Sequence, residues 1–158
     1  MQDKSPESRY RIRFKDCDPL GHLYNTRYLD YLLEAREDHI LDHYNLNLEN
    51  YASESGMAWV VVHHEIAYLA EAKRNEYIRI RSSMIYYDDK KIINEYQMWN
   101  DDFSRLKCLM HTSFLHVDIQ LKKVAPHGEN IQTLLSSILL ENTSSNFRER
   151  QKELLTKV

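Results

Sequence analysis

The sequence predicts an α+β fold: a curved antiparallel β-sheet wrapped around a long central α-helix, with a helical extension at the C-terminus. Three observations lead there. One strictly alternating segment lies near the N-terminus, the periodicity becomes helical at about residue 25, and four further strand-like segments follow, separated by polar turns. The order β-α-β-β-β-β leaves one helix of about 20 residues with a large apolar face, which a curved sheet can wrap.

In Arg9–Lys15, Tyr10, Ile12 and Phe14 share one face, while Arg9, Arg11, Arg13 and Lys15 share the other. Pro19 and Gly21 stop this strand. Beyond them Tyr28, Leu29, Leu32, Leu33, Ala35 and Ile40 form an apolar stripe at helical spacing, with Asp30, Glu37 and Asp38 away from most of it. Asn25 is the expected N-cap, with Thr26 as the other candidate, and the helix is expected to run to about Asn45.

Asn47–Gly56 reads as a loop. Met57–Val62, continuing through Ile66 and Tyr68, is apolar and β-branched. After a turn at Lys73–Glu76, Ile78, Ile80 and Met84 alternate with Arg79, Arg81 and Ser83. A second turn at Asp88–Lys91 leads into Ile92–Trp99, and a hairpin at Asn100–Asp102 leads into the last long strand, Arg105–Asp118. In the tail, Ile131, Leu134, Leu135, Ile138 and Leu139 recur at helical spacing, Asn142–Asn146 is a polar break, and Phe147–Val158 reads as a short docking helix or a frayed end. The expected division is one domain over residues 1–128 and a helical extension over 129–158.

A chain of 158 residues is long enough for one self-sufficient core. Net charge of −3, with no basic stretch interleaved with aromatics, argues against nucleic acid as a partner. No run approaches the ~18 apolar residues of a spanning helix, and Met1–Ser8 lacks the apolar core of a signal peptide, so neither membrane insertion nor a leader is expected. Cys17 and Cys108 are too few for a disulfide framework, which makes a reducing cytoplasm the expected location.

The stretch with most chemical content is Asp16-Cys17-Asp18-Pro19-Leu20-Gly21-His22, followed by Asn25 and Tyr28. It places a carboxylate, an imidazole and a carboxamide at or just before a helix N-terminus, whose unpaired N–H groups favour developing negative charge. Taken singly, Asp18 before Pro19 only starts a turn and Asn25 only caps a helix. The whole string in a strand–turn–helix context points to chemistry. Asp16-Cys17-Asp18-Pro19 with Gly21 resembles the signature of the 4-hydroxybenzoyl-CoA thioesterase family. Asp18-x-x-Gly21-His22-x-x-Asn25-x-x-Tyr28 is similar to that of the related acyl-CoA and acyl-carrier-protein thioesterases. The likeness covers roughly Arg9 to Pro126, and it implies a hotdog fold that hydrolyses acyl thioesters.

By that resemblance Asp18 attacks the thioester carbonyl or deprotonates the attacking water, and the backbone N–H of Asn25 stabilises the oxyanion. His22 orients the carboxylate or water, or protonates the leaving thiolate. Gly21 lets the chain turn close to substrate. Tyr28 lines the acyl site, although its place on the apolar stripe suits a core aromatic equally. Glu34 is the fallback carboxylate, because some of these enzymes carry the acid on the helix. Lys73, Arg74, Lys90 and Lys91 are the available cations for CoA phosphates or an acidic carrier protein.

The same resemblance implies at least a homodimer, often a homotetramer, with the site between subunits. It requires no cofactor. The chain departs from the family at Asn75-Glu76, where relatives commonly carry Gly-Asp, and at Glu71, often Pro. Two other readings share the fold: a hydratase or dehydratase of acyl thioesters, and a non-catalytic module that binds them.

Metal chemistry is not expected. His39 and His43 have i, i+4 spacing without the Glu filling of a zinc hydrolase motif, and His63 and His64 point to opposite faces of a strand. Cys17, flanked by Asp16 and Asp18, reads as a packed thiol.

Overall fold

The computed structural model describes residues 1–157, so Val158, the end of the predicted tail, lies outside the described residues. Strand β1 is shorter than its alternation suggests, Glu7–Arg11. It pairs with β3 (Tyr77–Tyr87) as far as Arg11 opposite Tyr77. Beyond that point β3 no longer supplies a partner. One further exchange joins Ile12 to the Asn75–Glu76 turn, and the backbone then closes into a 3-10 turn at Phe14–Asp16. Phe14 is therefore 74% exposed and does not share the inward face of Ile12.

Helix α1 spans Tyr28–Tyr44 and is preceded by a 3-10 turn at Asn25–Arg27. Tyr24, not Asn25, occupies the N-cap position of that turn, with no side-chain cap. The Asn25 side chain accepts from Thr26 N at 3.0 Å instead. Asn45, in the left-handed region at φ 52°, ends the helix as expected. The stretch read as a loop contains a helix, α2 (Leu48–Ser55). Asn47 caps it by accepting from Asn50 N at 2.9 Å, and Gly56 ends it at φ 71°.

The remaining strands are β2 (Met57–Tyr68), β4 (Lys91–Asn100), β5 (Leu106–Asp118) and a two-residue β6 (Lys123–Val124) that the sequence did not announce. The pairings between these strands are antiparallel, in the order β1-β3-β4-β5-β2, with β6 extending β5. The curled sheet wraps α1, whose inward residues Tyr28, Leu32 and Ala35 pack with Ile12, Ile78, Ile80, Tyr96 and Met98. Among the described residues no helix is long and apolar enough to cross a membrane.

The tail forms α3 (Glu129–Ile138) and α4 (Phe147–Thr156). Leu135 and Ile138 of α3 join Tyr44, Met84 and Ile92, while Phe147 and Leu154 of α4 join Trp99, Leu106 and Leu109. Arg150 of α4 forks onto Glu95 of β4 through Nε at 2.9 Å and Nη2 at 3.0 Å, and His111 Nε2 lies 3.0 Å from the same carboxylate. Burial opposes ionisation of Glu95, but the hydrogen bonds from His111 and Arg150 win and hold its pKa at about 2.

His39 ties α1 to two strands, its Nε2 2.7 Å from Ser8 Oγ and its Nδ1 2.7 Å from Ser82 Oγ. Burial, with the nearby Arg36 charge, lowers its pKa to about 4.

Two outcomes follow from these buried groups. Removing one partner of a buried pair strands the other, so Arg150→Met should lower unfolding free energy by roughly 3–5 kcal/mol in urea titrations. Between pH ~6.5 and 4 the unfolded chain takes up a proton that folded His39 excludes, so stability contributed by neutral His39 is lost as pH falls. His39→Gln should flatten that part of the stability–pH curve relative to the parent, and parallel curves would contradict the assignment.

Candidate active site

Asp18 sits where the chain passes from the first 3-10 turn towards α1, in a loop folded around its own carboxylate. Asp18 N donates to His22 O at 2.7 Å, and Gly21 N donates to Asp18 O at 3.0 Å. Asp18 Oδ1 accepts from Leu20 N at 2.9 Å and from His22 N at 3.0 Å. Gly21 makes this closure possible at φ 81°, a conformation that L side chains rarely adopt. Asp18 Oδ2 has no hydrogen-bond partner among the described residues. The half-buried residue lines two surface crevices, of about 400 and 490 Å³, one on each side of the loop.

The first crevice brings together Asp18, His22, Asn25 and Tyr28 with Tyr24, Tyr68 and Glu71. The amides that follow Asn25 are occupied: Thr26 N by Asn25 Oδ1, and Arg27 N by Tyr24 O at 2.9 Å. The N–H of Asn25 itself has no acceptor among the described residues. It stands at the positive end of the helical run, and its residue lines the same crevice as Asp18. Tyr68 OH donates to Asn25 O at 2.9 Å and fixes that peptide.

His22 is turned towards Glu71, in the connection between β2 and β3, rather than towards Asp18. Its Nε2 lies 3.0 Å from Glu71 Oε2, while Lys73 Nζ lies 3.2 Å from Glu71 Oε1. The hydrogen bond from Lys73, and then the charges of His22, Lys73 and Lys107, keep the Glu71 carboxyl below its ordinary range. Lys107 Nζ also donates to Glu71 O at 2.7 Å and pairs with Glu76 at 2.7 Å. Tyr68 and Glu71 were not singled out in the sequence. In the sequence Glu71 is only a departure from the family pattern, and Tyr68 only the end of a strand.

Tyr28 is almost wholly buried. Its hydroxyl accepts from Ala72 N at 3.3 Å, and burial pushes its pKa up to about 12. It is a protonated wall of the crevice, edge-on to Tyr68 at 5.1 Å. Cys17 Sγ lies 3.3 Å from Arg13 O, and burial, then the charges of Asp16 and Asp18, raise its pKa, which makes it a poor nucleophile.

The cations are dispersed. Lys73 is paired with Glu71, and Arg74 lines the second crevice with its guanidinium 5.5 Å from the Phe14 ring centre. Lys90 and Lys91 follow the far end of β3, an 11-residue strand of roughly 36 Å at ~3.3 Å per residue, so one chain does not bring them to Asp18. Glu34 is exposed on α1 and lines neither crevice. Asn75, where relatives commonly carry Gly, adopts φ 66° in the turn before β3. No cluster of three His, Cys, Asp or Glu side chains that could hold a metal ion occurs among the described residues.

A curled antiparallel sheet around a central helix, with helices appended at the C-terminus, is the hotdog fold. The chain belongs to the thioesterase-like superfamily, whose family model matches residues 12–135. Its structure is similar to a 1,4-dihydroxy-2-naphthoyl-CoA thioesterase from Synechocystis, with TM-score 0.76, 20% identity, and coverage of 85% of this chain and 97% of that one. A DHNA-CoA thioesterase from Staphylococcus aureus gives TM-score 0.76 and 14% identity, over 85% of this chain and 90% of that one. A Staphylococcus aureus protein solved in complex with CoA gives TM-score 0.81 and 12% identity, over 96% and 94%. At these identities the likeness carries the fold. No curated sequence matches the chain.

A Cβ on Gly21 would meet nothing within 4 Å, so any cost of substitution is conformational, not steric. Gly21→Ala should therefore lower stability by about 1–2 kcal/mol in urea unfolding. A change near zero would mean that the loop readily adopts another conformation.

Proposed function

We propose that this protein hydrolyses acyl-CoA or acyl-carrier-protein thioesters in the crevice between Asp18 and Asn25. The observation that carries this reading is the division of labour within one carboxylate. Oδ1 is fixed by two amides, Oδ2 is uncommitted, and Asp18 lines a crevice together with Asn25, whose N–H is unpaired. A thioester carbonyl seated against that amide would be polarised where negative charge develops. Membership of the thioesterase-like superfamily supports thioester hydrolysis in general. The CoA-ester substrate class is supported by the two CoA thioesterases and the CoA complex among the similar structures.

In the reaction, Asp18 Oδ2 takes a proton from water as that water attacks the carbonyl carbon, or attacks the carbon itself to give an anhydride that water then opens. The tetrahedral oxyanion rests on the Asn25 N–H. Collapse breaks the C–S bond and the thiolate leaves with its electron pair. Turnover in heavy-oxygen water separates the two routes, because only the anhydride route moves label into Asp18. His22, held by Glu71, positions the loop through its backbone and is available to give the thiolate a proton. Arg74, on the other side of the Asp18 loop, is the cation best sited for a CoA phosphate, with Lys73 next.

The reading includes a homodimer or homotetramer. Strand β2 is a sheet edge, and Val60, Val61 and Val62 on it are 41%, 45% and 51% exposed. A second subunit would close the crevice, and only through such a subunit would Lys90 approach the site.

The test is thiol release from a panel of acyl-CoAs. Asp18→Asn keeps an oxygen for the two loop amides and removes the ionised oxygen. It should reduce kcat/KM by about 10²–10⁴-fold with little change in melting temperature. Undiminished turnover would remove Asp18 from its role. Conversion of an enoyl-CoA without thiol release would favour a hydratase, and tight CoA-ester binding without turnover a binding module.

A further inference from the structure

A separate cavity, of about 250 Å³, lies between the C-terminal half of α1, the concave face of the sheet and α3. It shares no lining residue with either crevice at Asp18. Most of its wall is apolar, including Leu33, Ile40, Ile92, Phe114, Leu134 and Ile138.

Three side chains break that pattern. Arg36 Nε, Asn94 Oδ1 and the Tyr96 hydroxyl are buried polar atoms without a hydrogen-bond partner, and they are the only such side-chain atoms among the described residues. All three residues line this one cavity. They are 4%, 2% and 0% exposed. Native folds leave few polar groups in this condition, and each calls for a partner.

Arg36 defines the partner's charge. Its guanidinium has one long hydrogen bond, from Nη1 to Ser82 Oγ at 3.3 Å, and stands 5.4 Å from the Tyr44 ring centre. No carboxylate forms an ion pair with it among the described residues. The other buried arginine is treated differently, since Arg150 has a bidentate carboxylate in Glu95. A buried cation without a counter-charge is unfavourable, whereas a carboxylate brought in by a ligand supplies the charge together with lone pairs for Arg36 Nε–H and Tyr96 O–H. The Asn94 amide can present its NH2 to the same group after a side-chain flip. Glu37, exposed at the rim, disfavours a second negative charge on the ligand. The volume is larger than the ~150 Å³ that holds a benzene ring and just below the range for drug-sized ligands.

We propose that this cavity is a binding site for a medium-chain monocarboxylic acid, its carboxylate on Arg36 and Tyr96 and its chain among the apolar residues of α1, the sheet and α3. The site is separate from the Asp18 loop, and the inference does not rest on the proposed hydrolysis.

Trp59 lines the cavity and reports on its occupancy. Decanoate titrated into the full chain, followed by Trp fluorescence and calorimetry, should saturate at one molecule per chain. The uncharged 1-decanol should bind roughly tenfold or more weakly. Arg36→Met should weaken decanoate by a similar factor, Leu134→Trp should block it by filling the cavity from α3, and Asp18→Asn should bind it as the parent does. Equal binding of the alcohol, undiminished binding by a folded Arg36→Met, or loss of binding in Asp18→Asn would overturn the proposal. So would the absence of saturable binding, which would leave water as the occupant. The acid–alcohol comparison needs no substitution and decides the matter even if Arg36→Met fails to fold.

Discussion

Tyr28, Leu32, Ala35, Arg36 and His39 all face the inside of the curled sheet, and the position of every functional group follows from that burial. With the inner side of α1 committed, its N-terminal end must lie where the chain leaves β1, and the connection has to be made by the Asp16–Asn25 segment. Tyr28 fixes that end through Ala72, and His39 fixes the middle through Ser8 and Ser82. The helix is not uniformly apolar on its buried side. Its two inward polar residues are the ones that bind it to strands or face the cavity beside α3.

The Asp18 loop then solves a local problem with consequences for chemistry. A short connection carries backbone groups that need partners. Here the Asp18 carboxylate satisfies two amides with one oxygen and leaves the other free. The left-handed Gly21 permits this arrangement, and the Asn25 amide is left over because the turn begins as a 3-10 helix without a side-chain cap. A residue with an uncommitted acceptor oxygen and one with an unpaired donor thus line the same crevice as by-products of how the loop closes.

The C-terminal helices do more than cover the sheet. Arg150 brings a guanidinium into the sheet to meet Glu95, and α3 forms one wall of the cavity that contains Arg36. The contrast between those two arginines, one fully partnered and one not, is the clearest electrostatic asymmetry in the molecule.

Much of this was legible from the residues. Alternation in Arg9–Lys15 and Ile78–Met84, the apolar stripe from Tyr28 to Ile40, and the Asp18–Gly21–His22–Asn25 string gave the fold class and the candidate loop, because periodicity and turn chemistry are local properties. Helix α2 escaped notice although Asn47 and Gly56 bracket it and Leu48, Tyr51 and Ala52 lie at i, i+3 and i+4, since eight residues are too few for that spacing to stand out from a loop. Strand β1 ended early because β3 supplies no partner beyond Tyr77, which alternation in one strand cannot reveal.

The site divides in the same way. Asp18, His22, Asn25 and Tyr28 are close in sequence and remain close in space. Tyr68 arrives from the end of β2 and Glu71 from the connection that follows it, and Lys90 departs to the far end of the sheet. Local spacing determined which residues the loop could offer. Only the packing of distant strands around α1 decided that Glu71 takes His22, that Arg150 has a carboxylate, and that Arg36 has none, because burial and partnership are set by contacts that chain order does not encode.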